Sequence, residues 1–272
     1  MMNNTAARGA LCGWILAAAL VSGCATSVDP RSVDSEGLYS AISTDNVDYV
    51  RAAVKSGAVS PNQFIVAPGY SRGAPLIALA ARSGSLDVLQ YLIQAGANVN
   101  ARTSYDETAL MLAAFFMSDN EERGASYQQH EKAARMLVAA GASLEAARDG
   151  YTPLSYAAYQ GRIQTIRFLL ARGARVDGSV HGGVVYLPTP LMMAIMMGHE
   201  ESARLLLEAG ANPRLRVSAG NTAMEFAQKY RQTHLYPMLR CAEGLPRGQK
   251  FAIWCNGATS TDSLLPAGLF HR

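Results

Sequence analysis

Short apolar stretches of helical spacing alternate with polar turns along most of the chain. The clearest example is residues 149–174, DGYTPLSYAAYQGRIQTIRFLLARGA. Here Ala157 and Ala158 offer small side chains where two helices can approach closely, and Leu169 and Leu170 supply a buried face. The segment therefore predicts two short helices that pack against each other.

The ends of both predicted helices carry their own signals. Thr152 stands where its hydroxyl can cap the first helix, and Pro153 lies in the first turn, where a missing N–H is harmless. Gly173 stands where the second helix ends, a position that favours a left-handed residue. The two helices are therefore expected to lie between Thr152 and Gly173.

The same landmarks recur at a nearly constant interval. The threonine position returns at Pro75, Thr108, Thr152, Thr189 and Thr222, at intervals of 33, 44, 37 and 33 residues. A glycine followed by alanine ends the second helix at Gly57, Gly96, Gly141, Gly173 and Gly210. Self-similarity at such a period is typical of a solenoid of stacked repeats.

Residues 149–174 resemble an ankyrin repeat, whose pattern reads DGxTPLHxAAxxGxxxxVxxLLxxGA, with Ser155 in place of the usual histidine. The resemblance implies an all-α ankyrin-repeat solenoid of six helix-turn-helix repeats with β-hairpin fingers over residues 36–240. The first repeat, 36–58, lacks the Thr-Pro pair, and the last, 221–240, lacks the Gly-Ala end. Such departures are expected of terminal repeats, which cap the array.

Three departures from the regular period locate insertions. Eleven extra residues around 118–128 are polar and charged, which predicts an exposed loop between the helices of the third repeat. Six extra residues within 59–74 and four within 175–188 follow the first and fourth repeats. In ankyrin proteins these positions belong to the hairpin fingers, so the resemblance implies two lengthened fingers on the side that contacts partners.

The N-terminal residues have the pattern of a secretion signal. The apolar run 11–21 is shorter than the ~20 residues of a membrane-spanning helix and fits a signal-peptide core. Residues 21–24, Val-Ser-Gly-Cys, resemble the bacterial lipobox, in which the cysteine is lipidated and becomes the new N-terminus. The resemblance implies a signal peptide over 1–23, lipidation of Cys24 and a linker over 24–35. An uncleaved signal anchor is the alternative.

Lipidation at this position has a consequence for localisation. It implies a protein on the periplasmic side of the bacterial envelope, attached to a membrane through its N-terminal lipid. Ala25 follows the cysteine, and by the enterobacterial sorting rule a residue other than aspartate directs a lipoprotein to the outer membrane. The outer membrane is therefore the expected location.

The remaining cysteines form a pair. Cys12 lies in the predicted signal peptide and Cys24 is the predicted lipid site, which leaves Cys241 and Cys255. An even pair in an oxidising compartment predicts a disulfide. Two buried free thiols are the alternative.

The C-terminal residues 241–272 do not resemble an ankyrin repeat. A bridge between the two cysteines is expected to fold Phe251, Ile253 and Trp254 back over the open end of the array. Without such a cover the last repeat would leave its apolar face in water, which repeat arrays avoid. The tail is therefore predicted to be a cap.

Composition limits the classes of function. A formal charge of +3 without a lysine or arginine block gives no sign of nucleic-acid binding. The sequence contains no GxSxG elbow, HExxH pair, phosphate loop or glycine-rich nucleotide turn, so we expect neither an enzyme nor a cofactor. The expected partner is another protein, and the expected state of this chain is a monomer.

The partner-contact positions of ankyrin repeats lie seven and eight residues after the threonine position. In this chain they form what we call the concave stripe: Phe115, Phe116, Tyr159, Met196, Met197 and Tyr230. Arg82 holds the same place in the second repeat, and the fingers add Arg72, Tyr105, Arg148, Tyr151 and Tyr186. Aromatic, methionine and arginine side chains are enriched at protein interfaces, so these residues are predicted to bind the partner. The alternative is that Phe115 and Met196 turn inward.

The sequence thus predicts recognition by a periplasmic lipoprotein. Similar bacterial proteins suggest an immunity protein against a periplasmic toxin, a protector of a periplasmic enzyme such as catalase, or an envelope scaffold. The rival hypothesis is a metal-handling or enzymatic protein in which Met196 and Met197 join His181 at a copper-type site, because thioethers bind soft metals. His199 follows Gly198, where ankyrin repeats commonly carry Gly-His, which favours a packing role for that histidine.

Overall fold

The computed structural model describes residues 33–115, 127–145, 151–178, 187–217, 220–246 and 249–255. The first helices of the repeats are α1 (Ser35–Ser43), α3 (Leu76–Ser83), α5 (Ala109–Ala114), α7 (Pro153–Tyr159), α9 (Pro190–Met196) and α11 (Ala223–Lys229). The second helices are α2 (Val47–Lys55), α4 (Leu86–Gln94), α6 (Tyr127–Ala139), α8 (Ile163–Ala171), α10 (Glu200–Glu208) and α12 (Tyr236–Gly244). The predicted helix-turn-helix solenoid is confirmed.

The helices form two layers. The first helices pack on one another in chain order from α1 to α11, and the second helices do the same from α2 to α10. Each first helix also packs on the second helix of its own repeat. Between the layers lies a continuous apolar core that includes Leu154, Leu169 and Leu206, all fully buried. Each repeat therefore buries its apolar face against its neighbours, as a solenoid requires.

The threonine positions begin the first helices, as predicted. Thr108, Thr152, Thr189 and Thr222 are the N-caps of α5, α7, α9 and α11, and each side-chain oxygen accepts a hydrogen bond from the backbone N–H three residues on. Pro75 holds the same place before α3 without a side-chain bond. Because the first N–H groups of a helix have no internal partner, each threonine cap stabilises its helix by about 1 kcal/mol.

Glycines in the left-handed conformation separate the helices. Gly173 ends α8 with a φ of 90°, as the sequence predicts. Gly161, between α7 and α8, has a φ of 69°, and a Cβ there would lie 2.9 Å from Nδ1 of His199. The glycine therefore serves two purposes, since it permits the turn and leaves room for a ring from the next repeat.

The insertion after the first repeat is a hairpin finger. Strand β1 (Phe64–Ala67) pairs antiparallel with β2 (Tyr70–Pro75), with an irregularity between residues 65 and 67. The finger buries Ile65 against the helices, whereas the side chains of Phe64 and Val66 are exposed. Strand β1 also packs on α1. The finger stands beside the first helices, where the sequence places it.

The C-terminal tail differs in part from its prediction. Helix α12 runs to Gly244, so Cys241 lies within the last helix of the array and not beyond a boundary at residue 240. A disulfide joins Cys241 to Cys255, with 5.9 Å between their Cα atoms. It holds a short helix, α13 (Phe251–Trp254), which packs on α10.

Only one of the three apolar residues expected to close the array does so. Phe251 is buried, at 4% exposed, whereas Ile253 is 72% and Trp254 53% exposed. The physical reason is that α13 has a single turn, which points one side chain at α10 and leaves the other two on its outer side. The cap is therefore smaller than predicted.

Other predictions lie outside the described residues. These are the signal peptide 1–23, Cys24 and most of the insertions around 118–128 and within 175–188. Because α6 begins at Tyr127, the last two residues assigned to the exposed loop belong to a helix. In the part of the chain that the structure describes, no helix is long and apolar enough to cross a membrane.

Candidate protein-binding face

The ends of the first helices, which carry the concave stripe, are held from behind by the next repeat. In three repeats the backbone carbonyl at the end of the first helix accepts a hydrogen bond from a side chain of the following repeat. The pairs are His130 to Arg82 at 3.0 Å, His199 to Tyr159 at 3.0 Å, and Gln232 to Met196 at 3.4 Å. These bonds fix the backbone from which the stripe projects.

The four methionines of α9 and its C-cap divide between core and surface. Met192 is 1% exposed, and Met193 and Met196 are half-buried and pack against the core. Met197 is 43% exposed. Met196 is therefore partly turned inward, as the alternative interpretation holds, whereas Met197 offers a free thioether at the surface.

The exposed members of the predicted face lie at both ends of the described stripe. The second finger is the turn between Arg102 and Thr108, which form an isolated antiparallel bridge. Its Tyr105 is 64% exposed, and Tyr230, at the end of α11, is 37% exposed and stacks on Phe226. Arg72 is exposed on β2. Apolar surface of this kind on a folded protein typically marks a contact site.

The centre of the face is a cluster of aromatic rings. Phe115 stacks on Tyr159 with 6.0 Å between ring centroids and meets Tyr156 edge-on at 5.5 Å. Tyr151 in turn meets Tyr156 edge-on at 6.4 Å. Such pairs add about 0.5–1.5 kcal/mol to the energy of burial. As a result, three predicted contact residues are half-buried, namely Phe115, Tyr151 and Tyr159. Their side chains are more tightly packed and less exposed than the sequence predicts.

One carboxylate joins three elements of this face. Oε2 of Glu107 accepts hydrogen bonds from the hydroxyls of Tyr70 at 3.0 Å and Thr103 at 3.3 Å, and Oε1 accepts one from the hydroxyl of Tyr156 at 3.4 Å. Tyr70 belongs to the first finger, Glu107 to the second, and Tyr156 to α7. The carboxylate therefore ties two fingers to the following repeat.

The tyrosines around Glu107 respond to its charge. Burial raises the pKa of the Tyr70 hydroxyl, and the negative charge of Glu107 raises it further. The same two causes, in the same order, raise the pKa of Tyr156. Both hydroxyls therefore remain protonated near neutral pH and continue to donate to the carboxylate.

Arg82 holds the tip of the first finger. Its Nη1 donates to the carbonyl of Pro68 at 2.9 Å, and its guanidinium lies 5.2 Å from the ring centroid of Tyr70. A cation in that position over an aromatic ring is attracted by the negative face of the ring. The predicted contact residue thus has a structural task, which is to position the finger.

An open groove lies between α1 and this finger. Its volume is about 1080 Å³, with Tyr39 and Ser40 of α1 on one wall and Val66 and Pro68 of the finger on the other. Tyr105 forms one end of it. The groove extends the face toward the N-terminal repeat.

Some predicted contact residues lie outside the described residues, namely Phe116, Arg148 and Tyr186. Conversely, Tyr70, Glu107 and Tyr156 belong to the face but were not predicted. Glu107 had one local signal, since it is a charged residue directly before the capping threonine on a finger. The two tyrosines stand at positions to which the repeat pattern assigns no contact.

The metal hypothesis gains nothing from the geometry. The ring of His199 bonds the carbonyl of Tyr159 and packs over Gly161, so its place is that of a packing residue. His181 lies outside the described residues. Within the described ranges, no group of three or more His, Cys, Asp or Glu side chains is placed to hold a metal ion.

Comparison with protein families matches three stretches of the chain. A model described as ankyrin repeats in many copies matches residues 77–119, one of three ankyrin repeats matches 124–179, and one of a single ankyrin repeat matches 189–217. All three stretches lie within the array predicted from the sequence. Ankyrin repeats are a protein-interaction module and not a catalytic one.

Curated relatives match this chain over part of its length. The chain is 35% identical over 172 residues to the rat transient receptor potential cation channel subfamily V member 6, covering 56% of this chain and 20% of the channel. It is 43% identical over 105 residues to mouse ankyrin repeat and SOCS box protein 16, covering 38% and 22%. It is 42% identical over 86 residues to a putative ankyrin repeat-containing protein of Treponema pallidum, covering 32% and 28%.

The chain thus spans less than a third of the length of each of these relatives. The capping threonines, the glycine turns and the two helical layers agree with the matched families in kind and in place. On these grounds, the chain belongs to the ankyrin-repeat proteins.

Proposed function

We propose that this chain binds a partner protein through the concave stripe and the adjoining fingers, from a position anchored by lipid in the bacterial envelope. Recognition, with no chemical step, is its activity. The observation that carries the proposal is the exposure of Tyr105, Met197 and Tyr230, of which Met197 follows a backbone carbonyl, that of Met196, held by a hydrogen bond from Gln232 of the next repeat. A rigid display of apolar side chains lowers the cost of ordering on binding.

The test compares two double variants in a capture experiment. Met197→Ala with Tyr230→Ala removes the exposed side chains of two successive repeats, whereas Ile253→Ala with Trp254→Ala removes two side chains of the tail that are even more exposed. Lipid-free protein of each kind is fixed to a matrix and offered envelope extract. Loss of an interface anchor commonly costs about 2 kcal/mol, roughly thirtyfold in affinity. We expect the stripe variant to lose the partner and the tail variant to keep it.

Equal recovery by the stripe variant and the unaltered protein would place the binding surface elsewhere. A stripe variant that fails to fold would show instead that these side chains belong to the core. Thermal unfolding of each variant distinguishes the two results, because an exposed truncation changes the free energy of unfolding by less than about 0.5 kcal/mol.

The envelope location rests on the lipobox-like residues 21–24 and the apolar run before them. If Cys24 receives the lipid, Cys24→Ser abolishes incorporation of a labelled fatty acid and leaves the precursor uncleaved. Cys12→Ser is the matched control and retains both. Continued labelling of the Cys24→Ser protein is the outcome that contradicts a lipid anchor here.

Three biological tasks fit this activity: immunity against a periplasmic toxin, protection of a periplasmic enzyme, and scaffolding in the envelope. They differ in what the captured partner does. A hydrolase that is inactive in the complex supports immunity, an enzyme that stays active and survives longer supports protection, and several simultaneous partners support a scaffold. An activity assay of the captured complex separates them.

A further inference from the structure

We propose that the N-terminal part of the face takes an extended segment of the partner that carries an arginine or lysine side chain, and that the carboxylate of Glu107 receives this cation. The inference rests on the proposed function and deepens it, because it names the chemistry of the segment. It stands on a groove, an aromatic cup that joins the groove, and a carboxylate in the cup.

The groove between α1 and the first finger suits a peptide chain. It is open along its length, has a volume of about 1080 Å³, and presents hydroxyls of α1 opposite apolar side chains of the finger. Hydroxyls bond a peptide backbone, and apolar walls hold its side chains. Among the described residues that line it, only Glu36 carries a charge, and that charge is negative.

The groove continues into a smaller cup of about 210 Å³. The two share Gly69 and Tyr105, so a chain in the groove is adjacent to the cup. The cup is lined by the rings of Tyr70, Tyr105 and Phe115, and it contains Glu107. The rings of Tyr70 and Tyr105 lie 5.7 Å apart at an angle of 54°. Aromatic faces beside a carboxylate favour a cation, since ring quadrupole and negative charge attract it together.

The carboxylate of Glu107 has capacity for a further donor. It accepts from three neutral hydroxyls, two at Oε2 and one, at 3.4 Å, at Oε1. An ionised carboxylate has about four acceptor sites, so one remains at Oε1. In the described ranges no Lys, Arg or His makes an ion pair with it.

Arg82, the one cation among the described residues that line the cup, is already engaged by its neighbours. Arg82 donates to the carbonyl of Pro68 and stacks on Tyr70, which makes its guanidinium part of the wall. Its charge offsets one of the two carboxylates, Glu36 and Glu107, that the groove and the cup contain. Among the described residues that line the groove and the cup, the net charge is negative, and this complementarity selects a basic segment.

Glu107→Gln is the decisive variant. A glutamine removes the charge, keeps one oxygen that can accept from the hydroxyls of Tyr70 and Thr103, and places an amide NH2 where it can donate to the hydroxyl oxygen of Tyr156. Glu201→Gln, on the exposed side of α10, is the matched control. A phage-displayed library of random twelve-residue peptides is selected on the unaltered protein, and the selected peptides are synthesised for titration.

We expect the selected peptides to be enriched in arginine or lysine at one position. Their dissociation constants should rise roughly tenfold to a hundredfold on Glu107→Gln, the range for a hydrogen bond to a charged group, and stay unchanged on Glu201→Gln. Replacing the peptide's arginine by the neutral isostere citrulline should weaken binding to the unaltered protein by a similar factor and have no further effect on the variant. The citrulline titration on the unaltered protein does not depend on the folding of any variant.

The inference is overturned if no peptide is selected, if the selected peptides lack a basic position, or if Glu107→Gln and citrulline leave the affinity unchanged. A different result contradicts the proposed function, namely recovery of the partner by the variant with Met197→Ala and Tyr230→Ala. A partner that needs the stripe but is indifferent to Glu107 leaves the proposed function standing and removes only the basic segment.

Discussion

Met192 lies within α9, and Met197, five residues later, is the C-cap of that helix. Met192 is 1% exposed, whereas Met197 is 43% exposed. The first lies inside the helix packing, at the position that holds the buried residues Ala78, Met111 and Ser155 in other repeats. The second lies on the concave stripe, where residue type changes from repeat to repeat. The comparison shows that position in the repeat, not residue type, decides whether a thioether fills the core or meets a partner. A flexible side chain suits both tasks.

The two regions also differ in how they are held. The interior layer is continuous, so a defect in one repeat is felt by its neighbours. The ends of α7 and α9, which carry the stripe, are held from behind by His199 and Gln232, and the exposed side chain of Met197 adds little to the fold. Stability and binding should therefore be separable by substitution.

The largest expected effect is that of Met192→Ala. Truncating this fully packed side chain removes its burial and leaves a cavity between α9 and its neighbours, which costs about 2–5 kcal/mol. Urea unfolding followed by circular dichroism measures the loss. A change below about 1 kcal/mol would show that the layer relaxes around the cavity. The buried Met192 and the exposed Met197 would then differ less in their contribution to stability than their positions suggest.

The disulfide comes next. Replacing Cys241 and Cys255 together by serine releases α13 from the end of the array, and closure of a loop of this size contributes about 2–4 kcal/mol. The expected loss appears in thermal unfolding and is matched by reducing the unaltered protein. Alkylation of the denatured, unreduced protein supplies the control, because two reactive thiols there would contradict the bridge.

The sequence predicts the interior better than the face, for a physical reason. Thr152, Pro153 and Gly173 act locally, on the helix to which they belong, so a single sequence contains their signal. The repeat pattern then places Leu169 in the core by repetition alone. The pairing of Cys241 with Cys255 was predicted by counting, once Cys12 and Cys24 were assigned to a predicted signal peptide and a predicted lipid site.

The network around Glu107 could not be predicted in this way. Glu107 bonds Tyr70, which is 37 residues away, and Tyr156, which is 49 residues away, across separate repeats. Such contacts depend on the length and tilt of the fingers, and the repeat pattern specifies neither. The same limit explains why Ile253 and Trp254 were wrongly expected to be buried. The tail has no repeat period from which its buried side could be predicted.

A smaller effect is expected at the helix caps. Thr152→Ala removes the hydroxyl that accepts the N–H of Ser155 at 3.1 Å and leaves that donor buried, which costs about 1 kcal/mol. Thr152→Ser keeps the oxygen and should recover most of this loss. Denaturant midpoints of the two variants decide the matter. Equal midpoints for alanine and serine would mean that the repeat is held by packing alone.

The smallest effect on stability is expected for Met197→Ala, and it is the one that sharpens the comparison most. The side chain is 43% exposed, and its backbone N–H keeps the bond to the carbonyl of Met193 that ends α9. Truncation there should change the free energy of unfolding by less than about 0.5 kcal/mol. Measured beside Met192→Ala under the same conditions, the pair isolates position from residue type. A loss at Met197 that approaches the loss at Met192 would place its thioether in the packing of the array and leave Tyr105 and the first finger as the predicted partner surface.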